Sequence, residues 1–396
     1  MQPLAPPAGR PHLTPLMTFP GYQPSTPDLA LALAGGGARG AYQVGALAAL
    51  AEGRPDLNPP ILTGVSAGAI NTSYLAAHRG SFADGVAGLR REWARLTPDQ
   101  VYRVRPVNLV GNALRWTVRL LMGRRGDPGS VQGLMDVSPL RKFLEECVDL
   151  SGIADNVATG KLRAAALTTT SYTTGQTVTF MQCVPEIPIW ERVQRIGVRA
   201  ELSLDHVMAS AALPLVFPAV RLRDGFYGDG SVRLIAPLAP AIHLGAQRII
   251  AIAMRSSRSF ASVPVQQTRE YPATAEVMSL LFNAVFLDSL DADAERLERI
   301  NRVLESCRTG VVESLRPIKL LMLRPSRDLG ALSRGLEASL PHNLRWIVNS
   351  IGGRREGSSD FVSYLLFDPS YTNQLVELGY EDTRRDWERV EEFLDG

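Results

Sequence analysis

Between Leu29 and Ala77 the chain twice repeats one pattern: a short apolar run, a glycine-rich turn, then a segment of small helix-forming residues. The first copy reads LALALAGGGARGAYQVGALAAL and the second ILTGVSAGAINTSYLAA. Short apolar runs closed by glycine read as buried strands, and small residues let the following helices pack closely on them. The spacing predicts strands at Leu29–Ala34 and Ile61–Val65, with helices at Tyr42–Ala51 and Ala67–His78. Strand, turn and helix in immediate repetition belong to a parallel α/β sheet covered on both faces.

The two turns carry different chemistry. Gly35-Gly36-Gly37-Ala38-Arg39-Gly40 presents backbone N–H groups at a helix start, where the chain can approach a ligand closely and negative charge is favoured. Gly35, Gly37 and Gly40 also satisfy G-x-G-x-x-G after a strand, so a dinucleotide site must be weighed. That reading requires an acidic residue at the end of the second strand, about 20 residues on, to hold a ribose. The second strand ends in Gly64-Val65-Ser66 instead, and Asp56 falls before it begins. The turn therefore reads better as an oxyanion hole, with Arg39 bracing the loop or holding an anionic head group. The second turn, Gly64-Val65-Ser66-Ala67-Gly68, fits G-x-S-x-G: glycines relieve crowding around a strained serine on a strand-to-helix corner.

The rest of the chain extends the α/β pattern. The 396 residues are 45% hydrophobic, enough for a large core, and no Pro-, Gly- or Ser-rich linker divides the body. The expected organisation is a flexible proline-rich leader over 1–28, a catalytic unit over 29–255 and a mostly helical extension over 256–396. Further strands are expected at Leu162–Thr170, Gln176–Met181, Arg248–Met254 and Ile318–Leu323, and a hairpin at Val220–Tyr227 about Asp224-Gly225. Ser138 as N-cap and Pro139 at the first helical position start another helix. Ala273–Cys307 reads as one long helical stretch, and the mixed-charge run from Tyr380 as a solvated helix. Residues 101–125 combine arginines with Trp116 and Met122, a pattern for peripheral membrane contact or for a cap helix on the core.

Composition excludes other classes. The 42 basic and 40 acidic residues nearly cancel, so nothing points to nucleic acid. Cys147, Cys183 and Cys307 are odd in number and far apart, which argues against a disulfide framework or zinc site and for a reducing, cytoplasmic setting. No run reaches the roughly 18 apolar residues of a spanning helix. No metal or other cofactor is called for, and oligomeric state leaves no mark on the sequence.

Ser66 needs a base. Of the five histidines, His12 lies in the leader, His78 is about 18 Å along the helix from Ser66, and His206 and His243 sit in apolar segments. His342 is the one placed late enough in the chain for a Ser-His-Asp triad, although only one strand precedes the serine turn. The alternative is a carboxylate acting alone: Asp229, between Gly228 and Gly230 at the end of the hairpin, is free to face a serine. On the residues alone both bases stay open. A catalytically silent lipid-binding protein would use the same pocket without chemistry.

GGGARG, then GVSAG, then ASAALPLVFP, then YGDGS, in that order, resembles the patatin-like phospholipase family over roughly Leu29–Met254. The resemblance implies a three-layer α/β/α fold with a mostly parallel central sheet. It also implies a serine–aspartate dyad without histidine, acting on esters of phospholipids or other acyl lipids. By position Ser66 matches the nucleophile, Asp229 the base and Gly35–Gly40 the oxyanion loop, with Gly64 and Gly68 flanking the serine. The family's Asp-Gly-Gly or Asp-Gly-Ala stands here as Asp229-Gly230-Ser231, and Ala209–Pro218 matches a block that walls the site.

Overall fold

The computed structural model describes residues 29–104, 133–223, 225–256, 271, 273–306, 315–350 and 359–396. Its centre is β1 (Leu29–Leu33), followed by α1 (Ala41–Gly53), β2 (Ile61–Val65), α2 (Ala67–Ala77) and α3 (Phe82–Arg95). Every residue of β1 and β2 is buried, as a sheet covered on both faces demands. In β1, Leu29, Leu31 and Leu33 point into one apolar layer, while Ala30 and Ala32 point into the other.

The chain continues through α4 (Ser138–Cys147), β3 (Ala164–Ser171), β4 (Thr177–Cys183), the edge pair β5 (Glu191–Arg192) and β6 (Arg195–Arg199), and α5 (Leu204–Ser210). The helix of α4 begins at Ser138 itself, with Val137 as its N-cap, one residue earlier than the Ser-Pro signal suggests. The hairpin β7 (Val220–Leu222) and β8 (Gly225–Asp229) follows, then β9 (Arg248–Ile252). The expected Asp224 at its tip lies outside the described residues.

Residues 273–307 do not form one helix. α6 (Thr274–Phe286) ends at Leu287, and α7 (Asp288–Ser306) restarts where Asp288 is held by Arg255. β10 (Lys319–Leu323), α8 (Ser359–Leu365), α9 (Pro369–Arg385) and α10 (Trp387–Asp395) follow, with shorter helices at Ser151–Ala158, Ala239–His243 and His342–Ser350 between these elements.

The main sheet runs β10-β9-β1-β2-β3-β4-β6-β5. Its first four neighbouring pairs, β10–β9, β9–β1, β1–β2 and β2–β3, are parallel; β4 then pairs antiparallel with β3. Helices on both faces make it a three-layer α/β/α fold with C-terminal helices. The late strand β10 lies at the edge of the same sheet, so the residues after 255 contribute directly to its core.

The charge-rich C-terminus departs from a solvated helix. α9 packs along α1, where a Cβ on Gly45 would lie 1.8 Å from the Val376 carbonyl and one on Gly379 would lie 2.1 Å from that of Tyr42. Glycine at both positions lets the two backbones touch. Tyr371, Leu375 and Leu378 are buried on α9, and Val390 and Leu394 form an i, i+4 stripe on α10. The surrounding charges mask that stripe in the sequence.

Candidate active site

Strand β3 is longer than its neighbour β2, and that difference assembles the site. β2 runs beside it from Ile61 opposite Ala164 to Val65 opposite Thr168, then stops. β8 arrives antiparallel on the same edge and pairs Asp229 with Thr169, Gly228 with Thr170 and Tyr227 with Ser171. β4 occupies the other edge throughout. Asp229 therefore enters one register position beyond Val65, at the point where Ser66 turns out of the sheet.

Ser66 has φ 56° and ψ −128°, a left-handed conformation that a side chain resists. The surrounding structure holds it there. Its amide donates to Ser210 Oγ at 3.1 Å, and Ser210 Oγ donates to the Thr168 carbonyl at 2.6 Å. A Cβ on Gly68 would lie 2.2 Å from the Leu33 carbonyl, and one on Gly64 would lie 2.4 Å from that of Gly68. Both flanking glycines are required by close approach of backbone.

Asp229 is wholly buried, and its amide donates to the Ala212 carbonyl at 3.0 Å. Oδ1 accepts from the Ser231 amide at 2.9 Å, while Oδ2 is buried without a hydrogen-bond partner among the described residues. Burial pushes its pKa from 3.8 up to about 6, against the lowering influence of the Ser66 hydroxyl and then of Ser231. A carboxylate with one unsatisfied oxygen, beside a strained serine and titrating near 6, is poised to take a proton. The block from Ser210 to Ala212 is thus more than a wall: it ties the Ser66 amide and the Asp229 amide to one short segment.

The glycine loop closes the third side. A Cβ on Gly35 would meet Ser66 Cβ at 2.9 Å and Ser231 Oγ at 2.8 Å, so only glycine lets the loop lie this close. Gly37 has φ +57° and abuts the Tyr364 carbonyl, Gly40 packs on Ala67 and Trp93, and buried Ala38 continues the turn. Among the described residues the amides of Gly36 and Gly37 donate no hydrogen bond, whereas that of Arg39 donates to the Gly36 carbonyl at 3.1 Å.

The Arg39 side chain turns into the protein, against α8. The residue is 1% exposed. Nε donates to Ser363 Oγ at 2.8 Å, Nη2 donates to Asp360 Oδ1 at 2.6 Å, and the guanidinium stacks on Tyr364 at 4.4 Å. Burial pulls its pKa down, but Tyr364, Tyr371 and Asp360 more than offset this and hold it above its ordinary value. A second brace was not anticipated. Gln43 Nε2 donates to the Ala34 carbonyl at 2.7 Å, Asn71 Nδ2 to Gln43 Oε1 at 2.8 Å, and Trp93 Nε1 to Asn71 Oδ1 at 2.8 Å. This buried chain fastens the glycine loop to α2. Its trace in the sequence is two polar residues, Gln43 and Asn71, inside otherwise small-residue helices.

The described histidines lie elsewhere. His342 is exposed at a helix start, its Nδ1 3.3 Å from Arg345 Nη2. His206 caps its own helix through Ser203 and packs on Phe180, and His243 stacks on Trp190. Residues 105–132, and with them nearly all of the expected membrane segment 101–125, fall outside the described residues. Among the described residues no helix is long and apolar enough to cross a membrane.

A match to the patatin-like phospholipase family spans residues 31–242, more than half of the chain. The chain belongs to this family. Among solved structures, human GIVD cytosolic phospholipase A2, in complex with methyl γ-linolenyl fluorophosphonate, is similar at 13% identity and a TM-score of 0.43, over 94% of this chain and 59% of that one. VipD from Legionella pneumophila is similar at 12% identity and a TM-score of 0.33, over 93% of this chain and 67% of that one. The heterodimeric ExoU–SpcU complex of Pseudomonas aeruginosa gives 14% identity and a TM-score of 0.28, over 94% of this chain and 52% of that one. No match was found among curated proteins.

Proposed function

We propose that this chain is a lipid acyl hydrolase of phospholipase A, lysophospholipase or esterase type, with Ser66 as nucleophile and Asp229 as its general base. The observation that carries the reading is the pairing of a strained serine with a buried carboxylate whose Oδ2 has no hydrogen-bond partner among the described residues, placed end to end by the register of β3. The proposed catalytic unit is 29–255, with 256–396 completing its core.

Asp229 takes the Ser66 hydroxyl proton as Oγ bonds to the ester carbonyl carbon. The carbonyl oxygen becomes an oxyanion, received by the Gly35–Gly40 loop, where the amides of Gly36 and Gly37 donate to nothing else among the described residues. Collapse breaks the ester C–O bond, the departing alkoxide takes the proton from Asp229, and an acyl-serine remains. Water then gives a proton to Asp229 and its oxygen to the acyl carbon. Collapse of this second intermediate returns the proton to Ser66 Oγ and releases the fatty acid. An aspartate is a weak base, so raising its pKa to about 6 and pre-aligning the loop carry much of the acceleration. Arg39 acts only through the loop that it braces.

The test is hydrolysis of phospholipid and short acyl esters, with labelling by a serine-directed fluorophosphonate. Ser66→Ala is expected to abolish both with the fold intact. Hydrolysis that survives this change refutes the reading. A folded wild-type protein that resists the label shows a lipid binder instead.

A further inference from the structure

Where the family's pattern has glycine or alanine after Asp-Gly, this chain has Ser231, and the turn does not need its hydroxyl. Oδ1 of Asp229 accepts from the Ser231 amide at 2.9 Å, a bond that any residue except proline supplies. Thr170 Oγ1 donates to the Asp229 carbonyl at 2.9 Å, and a Cβ on Gly230 would lie 2.2 Å from the Thr168 carbonyl. None of these contacts involves the Ser231 side chain. Its hydroxyl is nevertheless carried into the protein. The residue is 6% exposed, and Oγ has no hydrogen-bond partner among the described residues. A buried hydroxyl left unpaired destabilises a fold, and alanine would avoid that loss.

The hydroxyl lies within the catalytic cluster. The place of a Cβ on Gly35 is 2.8 Å from Ser231 Oγ and 2.9 Å from Ser66 Cβ. Both serines therefore reach the same point of the loop, at the residue that precedes the Gly36 and Gly37 amides. The third group at that point is the apolar Phe286 ring at 3.5 Å. On its other flank Ser231 adjoins Asp229, and its hydroxyl is among the groups that hold the carboxylate pKa down.

Two anionic acceptors thus stand near this hydroxyl at different stages of the reaction. While Asp229 is ionised, the charge sits on the carboxylate. As Asp229 takes the Ser66 proton, that charge is neutralised and reappears on the ester carbonyl oxygen. A hydroxyl has one rotatable proton, and here no partner among the described residues holds it, so it can follow the charge. A donor that meets the reacting oxygen only once the charge has moved stabilises the transition state and not the bound substrate. Resting on the hydrolase reading above, we propose that Ser231 is a further catalytic residue whose hydroxyl donates to the oxyanion alongside the Gly36 and Gly37 amides. It keeps its proton and forms no covalent bond. Loss of one such donor costs about 10²- to 10³-fold, and with two amides remaining the lower figure applies.

The experiment compares wild type with Ser231→Ala, as full chains, on p-nitrophenyl butyrate from pH 5 to 9. The backbone bond to Asp229 survives in the variant; circular dichroism checks the fold, and labelling of Ser66 to completion by a fluorophosphonate checks the site. At the pH plateau kcat is expected to fall about a hundredfold, with KM changed by no more than about twofold. Inhibition by a short-chain trifluoromethyl ketone, which Ser66 converts to a tetrahedral oxyanion, should weaken by the same factor. The corresponding alcohol forms no oxyanion and should bind as before. Ser231→Gly lacks the same hydroxyl and should show the same loss. An unchanged plateau kcat, with the midpoint of the pH profile moved upward, places the hydroxyl on Asp229 alone and overturns the inference. A loss confined to KM, or an unchanged ketone affinity, overturns it as well. In each of these cases Ser66-dependent hydrolysis by the wild type leaves the hydrolase reading standing. Absence of Ser66-dependent cleavage on every ester removes both.

Discussion

Replacing Asp229 by asparagine separates what the site does from what it costs. The carboxylate is wholly buried, and its pKa stands at about 6 against 3.8 because burial penalises the charge. That difference corresponds to about 3 kcal/mol lost from the folded state at neutral pH. The amide oxygen of Asp229→Asn can still accept from the Ser231 amide, so the local turn survives. With an unfolding entropy of about 2 cal/mol/K per residue over 396 residues, removing the charge should raise Tm by about 4 °C at pH 8. A carboxyl whose folded pKa is raised lowers stability above about pH 6, and the penalty is relieved as pH falls from about 6 toward 3.8. The advantage of Asp229→Asn should therefore shrink through that window and vanish below it. Scanning calorimetry from pH 4 to 8, run beside ester hydrolysis, measures both effects. A variant with activity down at least a thousandfold and Tm raised at high pH is expected. A variant less stable than wild type at pH 8, or one equally advantaged at every pH, would refute the burial argument.

The same carboxyl predicts that wild-type kcat/KM rises with pH and levels above about 6, since the base must be unprotonated; a pH-independent rate from pH 5 to 8 would exclude it. Gly35→Ala places a methyl group against Ser66 and Ser231, and should cost about 10²- to 10³-fold in kcat by displacing the loop, with unfolding monitored by circular dichroism. Arg39→Met leaves Asp360 without its cation and Ser363 without its donor, and should destabilise by about 3 kcal/mol in urea denaturation. Ser210→Ala removes the bond to the Ser66 amide and should lower kcat about tenfold with KM little changed, because it positions the nucleophile without touching substrate.

Much of the frame could be read in advance because it rests on local rules. LALAL and ILTGV can only be buried strands, and the strands at 29–33, 61–65, 248–252 and 319–323 lie where the apolar runs end in turns. The glycines around Ser66 stand where backbone touches backbone, so the motif carries the strain visible in φ. The helix break at Leu287 was illegible, since neither glycine nor proline marks it and the contact at Asp288 comes from Arg255. The Gln43–Asn71–Trp93 chain was equally hidden, because hydrogen bonds between separate helices have no period in sequence.

By itself the sequence determined the sheet, the strained serine, the glycine loop and two candidate bases. Only the tertiary structure decided which of the two side chains lies beside Ser66. That choice depends on β2 ending at Thr168 of β3 while β8 pairs on from Thr169, a long-range register that brings Asp229 to the serine and leaves His342 exposed beside Arg345. It also decided that Arg39 is buried against α8, because its partners Asp360 and Ser363 lie more than 300 residues away in sequence. Local propensity specifies elements, but the energy of a buried charge depends on everything packed around it.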